Sequence, residues 1–215
     1  LLKSLNHVQR VVERRNTIPI LSNVLLKADG DVLTLKATDL DLEVTETTPA
    51  AVEQSGATTV PAHMLYDIVR KLPDGAEVMM AVTGDNGLSL ISGRSQFRLQ
   101  MLPESDFPDL TAGEFSHTFR MACTDFKNLI DRTQFAISTE ETHYYLNAIY
   151  FHTTDDIGTT MLRAVATDGH RLALSDIALD GADGAASQVI IPRKGVLELS
   201  RLLSEPSEDE LVLVF

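Results

Sequence analysis

The sequence predicts an α+β protein built from one repeated unit, in which helices pack on antiparallel strands. The first observation behind this is an internal copy. Lys36-Ala37-Thr38-Asp39-Leu40-Asp41-Leu42 is matched by Val165-Ala166-Thr167-Asp168-Gly169-His170-Arg171-Leu172, and Thr59-Val60-Pro61-Ala62 by Ile190-Ile191-Pro192-Arg193. The paired Thr-Asp steps lie 129 residues apart and the paired prolines 131. Two landmarks in one order at nearly one offset mark a domain-sized unit used twice, which points to an array or a ring rather than to a single buried active site. The second observation is periodicity that switches between helical 3–4 spacing and strand alternation. The third is a set of Asp-Gly and Asn-Gly steps at 29–30, 74–75, 86–87 and 168–169, which are tight-turn dipeptides between strands.

Each element follows in order. Leu2, Leu5, Val8, Val11 and Val12 predict a helix over 1–15. Val32, Leu33, Leu35 and then Leu40, Leu42, Val44 alternate as strands. Met64, Leu65, Ile68, Val69 and Leu72 predict a second helix over 62–72, followed by strands at 77–82, 88–92 and 96–102. Residues 102–113, rich in Pro and Asp, form the linker between the copies. The second copy opens on an alternating strand, Phe115 to Met121. Thr124-Asp125 then reads as an N-cap before Phe126, Leu129 and Ile130. Met161, Arg163 and Val165 alternate, Pro192 suits a helix start, and Glu210 to Phe215 form a last strand. Each unit reads as two half-repeats of a helix followed by about three strands, over 1–110 and 111–215. The first copy lacks the opening strand of the second, the second lacks the closing strands of the first, and no initiator Met is present. These inequalities predict a chain trimmed at both ends.

Composition narrows the function classes. Apolar content of 44% supports packed cores, and the longest apolar runs fall short of the roughly 20 residues that span a bilayer. The single cysteine, Cys123, allows no internal disulfide and fits a reducing cytoplasm. Net charge is −13, yet the four helical segments 1–15, 62–72, 123–133 and 192–203 hold 11 Lys/Arg against 5 Asp/Glu. A protein that gathers positive charge on its helices and negative charge elsewhere can still offer one face to phosphates; helix surfaces also carry Lys and Arg simply for solubility. A hydrolase built on Asp168 and His170 is the rival class. No Gly-x-Ser-x-Gly elbow, phosphate loop or metal-ligand spacing accompanies that pair, so no enzyme activity, metal or cofactor is expected.

A family resemblance rests on Thr17-Ile18-Pro19-Ile20-Leu21-Ser22-Asn23, Gly56-Ala57-Thr58-Thr59-Val60-Pro61-Ala62, Ser92-Gly93-Arg94-Ser95-Gln96-Phe97, Leu102-Pro103-Glu104-Ser105-Asp106-Phe107-Pro108, Tyr144-Tyr145-Leu146-Asn147, Val165 to Ala173 and Ile191-Pro192-Arg193-Lys194-Gly195-Val196. Across essentially its whole length the chain resembles the bacterial DNA polymerase III beta subunits, the sliding clamps. The resemblance implies the DNA-clamp fold, with repeated domains of two helices on antiparallel sheets. It implies most of a first and a second domain and none of a third. It also implies a homodimeric ring around double-stranded DNA without sequence preference, working as a processivity factor in the bacterial cytoplasm. The implied partners are the DNA polymerase III alpha subunit, the clamp loader and repair proteins, which dock through a short linear motif.

The resemblance also implies sites. Arg15 occupies the loop after the first helix that touches DNA, and Tyr144 and Tyr145 the position that meets template. Arg70 and Lys71 join them from helix placement alone. Leu146, Thr167, Gly169, His170, Arg171 and Leu172 match the groove that receives the partner peptide. Read from the residues alone, Tyr144-Tyr145 fits a strand core and Asp168-Gly169 a plain hairpin with His170 as a surface residue. Two positions depart from the family: His143 stands where Arg is usual, and Ala148 where Gly is usual. His143 weakens a fixed positive charge beside the site; Ala148 implies a slightly altered backbone or a filled space.

Overall fold

A computed structural model of the chain describes residues 1–14, 16–84, 86–110, 118–140, 142–179, 188–205 and 210–214. The chain divides into two compact units, Leu1–Thr111 and Ala112–Phe215.

In the first unit, helix α1 (Leu2–Val11) is followed by a 3-10 turn at Pro19–Ser22. Strands β1 (Asn23–Asp29), β2 (Val32–Thr38), β3 (Glu43–Pro49) and β4 (Gly56–Pro61) come next, then α2 (Ala62–Val69), and β5 (Met79–Thr83), β6 (Gly87–Ser92) and β7 (Ser95–Gln100). The strands form an antiparallel sheet in the order β3-β2-β1-β4 and a second in the order β5-β6-β7. Leu5, Val8, Val24, Leu35, Leu65, Leu90 and Leu99, all essentially inaccessible, join both helices and both sheets in one core. His63 ties α2 to the end of α1, with its ring nitrogens 2.9 Å from Gln9 Oε1 and from the Val12 carbonyl oxygen. The segment after β7 returns over the outer face of the first sheet. Leu102 bridges Thr59, Phe107 packs with Ile20, Leu21 and Leu25, and Asp109 lies 3.8 Å from Lys36.

The second unit repeats the plan. Strand β8 (Thr118–Ala122) leads into α3 (Cys123–Thr133). Then follow β9 (Ala148–Asp156), β10 (Thr159–Thr167), β11 (Leu172–Ala178), β12 (Gln188–Pro192), α4 (Arg193–Leu202) and β13 (Glu210–Val214). The sheet order β11-β10-β9-β12 reproduces β3-β2-β1-β4, and β13 pairs with β8. Phe126 stacks on Phe151 with centroids 5.3 Å apart, among Leu129, Ile130, Ile149, Leu162 and Val196.

The topology corrects the expected half-repeat. Each described helix after the first is preceded by a strand, as in β4-α2, β8-α3 and β12-α4, so the half-repeat is strand, helix and three strands. The leading strand pairs outside its own half: β4 with β1, β12 with β9, β8 with β13. Other expectations shift locally. Leu40 and Leu42 lie in a turn between β2 and β3, and Leu40 adopts φ +81°. Thr124-Asp125 lie inside the first turn of α3, whose cap residue is Ala122. Pro192 closes β12 and caps α4 from outside, as Pro61 does for α2. The expected strand from Phe115 is described only from Thr118, and the expected last strand through Val214; residues 115–117 and Phe215 lie outside the described residues.

Candidate partner and nucleic-acid surfaces

The 167–172 segment is a turn wired by its own side chains. The Asp168 carboxylate accepts from the His170 and Arg171 backbone N–H groups, both at 3.0 Å, and from Arg171 Nε at 2.9 Å. Thr167 Oγ1 accepts from Gly169 N at 3.1 Å and donates to the Arg171 carbonyl at 2.7 Å. Donors from Arg171 and His170 backbone, with the Arg171 guanidinium beside them, hold Asp168 well below the usual carboxylate range, at about 2. Gly169 takes φ +86°, a left-handed position that costs glycine nothing.

The first unit builds the same turn. Leu40 N donates to Thr38 Oγ1 at 3.0 Å, and Asp41 N and Leu42 N donate to Asp39 Oδ1 at 3.1 and 2.7 Å. Leu40 occupies the left-handed position that Gly169 holds in the second unit. The backbone turn is therefore a device of the fold common to both copies. What distinguishes the second copy is the side chains it presents: His170, Arg171 and Leu172 in place of Asp41, Leu42 and Glu43. The same geometry argues against a hydrolase. The contact between Asp168 and His170 runs through the backbone N–H of His170, and the carboxylate is occupied by the turn, so the imidazole and the acid do not form a working pair.

Around this turn lies an apolar surface. Leu172 is 64% exposed although it pairs with Thr167 at the start of β11, and Leu174, two residues on and on the same side of the strand, is 50% exposed. Phe135, in the 3-10 turn after α3 (Gln134–Ala136), is 56% exposed, and the Arg171 guanidinium carbon lies 5.5 Å from its ring centroid. Leu146 is half-buried, and its carbonyl accepts from Ser138 N at 3.0 Å. Segment 134–138 is thus the shared neighbour of the Leu146 turn and of Arg171. Leu174 was legible from strand parity once Leu172 was placed; Phe135 carried no sequence signal.

The tyrosine pair is no strand core. Tyr144–Leu146 forms a 3-10 turn before β9, with Tyr144 80% and Tyr145 55% exposed and the rings edge to face at 5.6 Å. His143 Nδ1 lies 3.3 Å from Glu140 Oε2, and its ring meets Tyr145 edge-on. Ala148 is buried at the first position of β9, opposite Pro192, so its methyl fills space in the core edge. In the first unit, Arg70 is held by Asp67 at 2.9 Å and lies over the Tyr66 ring, which offsets its charge, while Lys71 is exposed in a shallow depression with Met64, Asp67, Ile68 and Phe97. Lys127 and Arg201 likewise pair with Asp131 and Glu198 on their own helices. Arg15 lies outside the described residues. Among the described residues no cluster of His, Cys, Asp and Glu could hold a metal ion, and no helix is long and apolar enough to cross a membrane.

Comparison with known proteins decides the family. The model of the DNA polymerase III beta subunit N-terminal domain matches residues 1–111, and that of the central domain matches residues 120–215. The chain belongs to the DNA polymerase III beta subunit family. The beta sliding clamp of Caulobacter vibrioides is 53% identical over 97% of this chain, and that of Vibrio cholerae 41% identical over 97%. The chain spans 56% of the length of each. Among solved structures, the sliding clamp of Bartonella birtlesii bound to griselimycin superposes with a TM-score of 0.93 at 55% identity. It is matched over 99% of this chain and 57% of that one. The Caulobacter crescentus beta subunit gives 0.94 at 51%, over 100% of this chain and 58% of that one. The α+β clamp fold expected from the sequence is the fold of these neighbours.

Proposed function

We propose that the complete protein is a DNA sliding clamp, a non-enzymatic processivity factor that encircles duplex DNA and tethers the replicative polymerase. The observation that carries this reading is the pairing of family membership over nearly the whole chain with a second unit that exposes Leu172, Leu174, Phe135 and the Tyr144-Tyr145 turn. Residues 1–110 and 111–215 serve as the first two clamp domains, and a third domain outside this chain completes the homodimeric ring. The ring works in the bacterial cytoplasm.

In this reading the two surfaces have different physics. The DNA surface, formed by Arg15, Arg70, Lys71, Tyr144 and Tyr145, touches backbone rather than base edges, because a clamp that reads bases cannot slide. Attraction acting over about a Debye length of ~8 Å keeps it mobile. Asp67 beside Arg70 supports ranking Arg70 below Lys71. The peptide surface, formed by Leu146, Thr167, Gly169, His170, Arg171 and Leu172, offers apolar walls and one guanidinium to a linear motif of the polymerase alpha subunit, the clamp loader or repair proteins. The turn's hydrogen bonds support a backbone-shaping part for Thr167 and Gly169 and a ligand-facing part for Leu172 and Arg171.

A primer-extension assay tests the function. Adding the full-length protein and a clamp loader to the replicative polymerase lengthens the products of a single binding event, and an excess of partner peptide returns them to the polymerase-alone length. Product lengths that ignore the protein contradict the proposal.

A further inference from the structure

Arg171 is the one cation in the proposed peptide site, and its side chain is 58% exposed. A long exposed side chain ordinarily samples many rotamers and loses that freedom when it binds. Here two groups already hold it. Asp168 accepts from Nε at 2.9 Å, which fixes one edge of the planar guanidinium, and its central carbon lies over the Phe135 ring, 5.5 Å from the centroid and within cation–π range. The terminal Nη groups make no hydrogen bond to any described residue, so the fork they form remains available for an acceptor. Phe135 gains little from its own burial, since more than half of its surface stays in water. Its position is set from below: the 3-10 turn that carries it follows α3 directly and ends at buried Ala136 and Ile137. In the first unit, Leu42 takes the place of Arg171, so the clamp exists in one copy of the repeat only.

We propose that Phe135 is a positioning residue of the peptide surface: its ring face and the Asp168 carboxylate hold the Arg171 guanidinium so that its Nη edge meets a carboxylate on the incoming peptide. This rests on the reading of residues 146 and 167–172 as the peptide surface. The role assigned to Phe135 acts through Arg171. It therefore changes how the site distinguishes an acidic peptide from a neutral one, rather than how strongly it holds apolar side chains.

The test uses the full-length protein and two fluorescein-labelled synthetic peptides, each with a Leu-Leu pair. One carries a Glu beside the pair and the other a Gln. Fluorescence anisotropy at low salt gives the ratio of the two affinities for the parent, Phe135→Leu, Phe135→Tyr and Arg171→Gln, with circular dichroism confirming each fold. The parent prefers the Glu peptide. Arg171→Gln abolishes the preference, Phe135→Leu lowers it about two- to fivefold, the span of an exposed cation–π contact, and Phe135→Tyr, which keeps the ring face, preserves it. A Phe135→Leu protein with the parental preference overturns the positioning role while leaving the peptide surface intact. Equal weakening of both peptides by Phe135→Leu also overturns it, and makes Phe135 a plain apolar contact. Parental binding of both peptides by Arg171→Gln, or no binding of either peptide by the parent, overturns the peptide surface and the positioning role together.

Discussion

Replacing Leu172 by Asp separates the fold from the proposed peptide surface. Leu172 sits at the first position of β11 and is 64% exposed, so the folded chain loses little when its side chain changes. Binding is another matter. Full burial of a Leu side chain is worth about 1.5–3 kcal/mol. An association that covers the exposed two-thirds of Leu172 therefore gains roughly 1–2 kcal/mol from it. A carboxylate in the same place forfeits that gain and adds the cost of an unpaired polar group against an apolar ligand, about 1–3 kcal/mol. Together the loss is about 2–5 kcal/mol, roughly thirtyfold to a few thousandfold in Kd. Leu172→Ala removes only the first part and weakens binding roughly five- to thirtyfold. The assay is anisotropy of a labelled partner peptide on the full-length protein, after circular dichroism and a urea midpoint show that each variant keeps the parental fold. Parental affinity in a folded Leu172→Asp protein refutes the reasoning and moves the peptide surface elsewhere.

Other predictions follow from single observations. Tyr144→Ala with Tyr145→Ala shortens the lifetime of the loaded protein on DNA without altering its urea midpoint, because both rings are exposed; a falling midpoint instead marks them as structural. Ile157 is 99% exposed with φ +50° at the tip of the β9–β10 hairpin, a left-handed position that a β-branched residue resists. Ile157→Asn relieves roughly 1 kcal/mol, for a rise of about 4–8 °C in the melting temperature of the second unit; an unchanged or lower value contradicts this strain. His152 lies in the β9 face with Tyr150, Arg163, Asp176 and Gln188, and burial, then Arg163, lowers its pKa from 6.5. The folded state therefore binds fewer protons than the unfolded state. The associated stability is present above pH 6.5 and is lost as pH falls through the lowered value. Urea midpoints measured from pH 7.5 down to pH 5 show a steeper decline for the parent than for His152→Gln; parallel declines remove His152 as the cause.

Much of the fold was legible because it is repeated. The Thr38/Thr167 and Pro61/Pro192 landmarks fall at the same sheet positions in both units; 3–4 spacing located the first two described helices, an apolar run behind Thr124-Asp125 the third, and Pro192 the fourth. Leu40 and Leu42 alternate like a strand, but Asp39 captures the next backbone N–H groups and bends the chain into a turn. The strand ahead of α3 alternates and was legible, whereas those ahead of α2 and α4, Gly56–Pro61 and Gln188–Pro192, lack a clean alternation and pair with strands of a neighbouring half-repeat. The tyrosine pair has the composition of a buried strand, yet the chain turns there before β9 begins. For the proposed peptide surface, the family motif supplies Leu172 and Arg171, whereas Phe135 enters only through the three-dimensional return of the turn after α3 toward β10 and β11. The charge partition was legible in part: the helices are basic by count, but Arg70, Lys127 and Arg201 are matched by acids one turn away.

The central claim is topological, and retention on DNA of defined topology tests it most directly. The full-length protein is loaded onto nicked circular duplex, isolated by gel filtration at moderate salt, and a single restriction cut is then made. The account predicts stable co-elution with the intact circle and prompt loss from the linear product, since a ring that holds DNA by encirclement slides off free ends. Equal retention on circular and linear DNA contradicts encirclement and replaces it with ordinary surface binding.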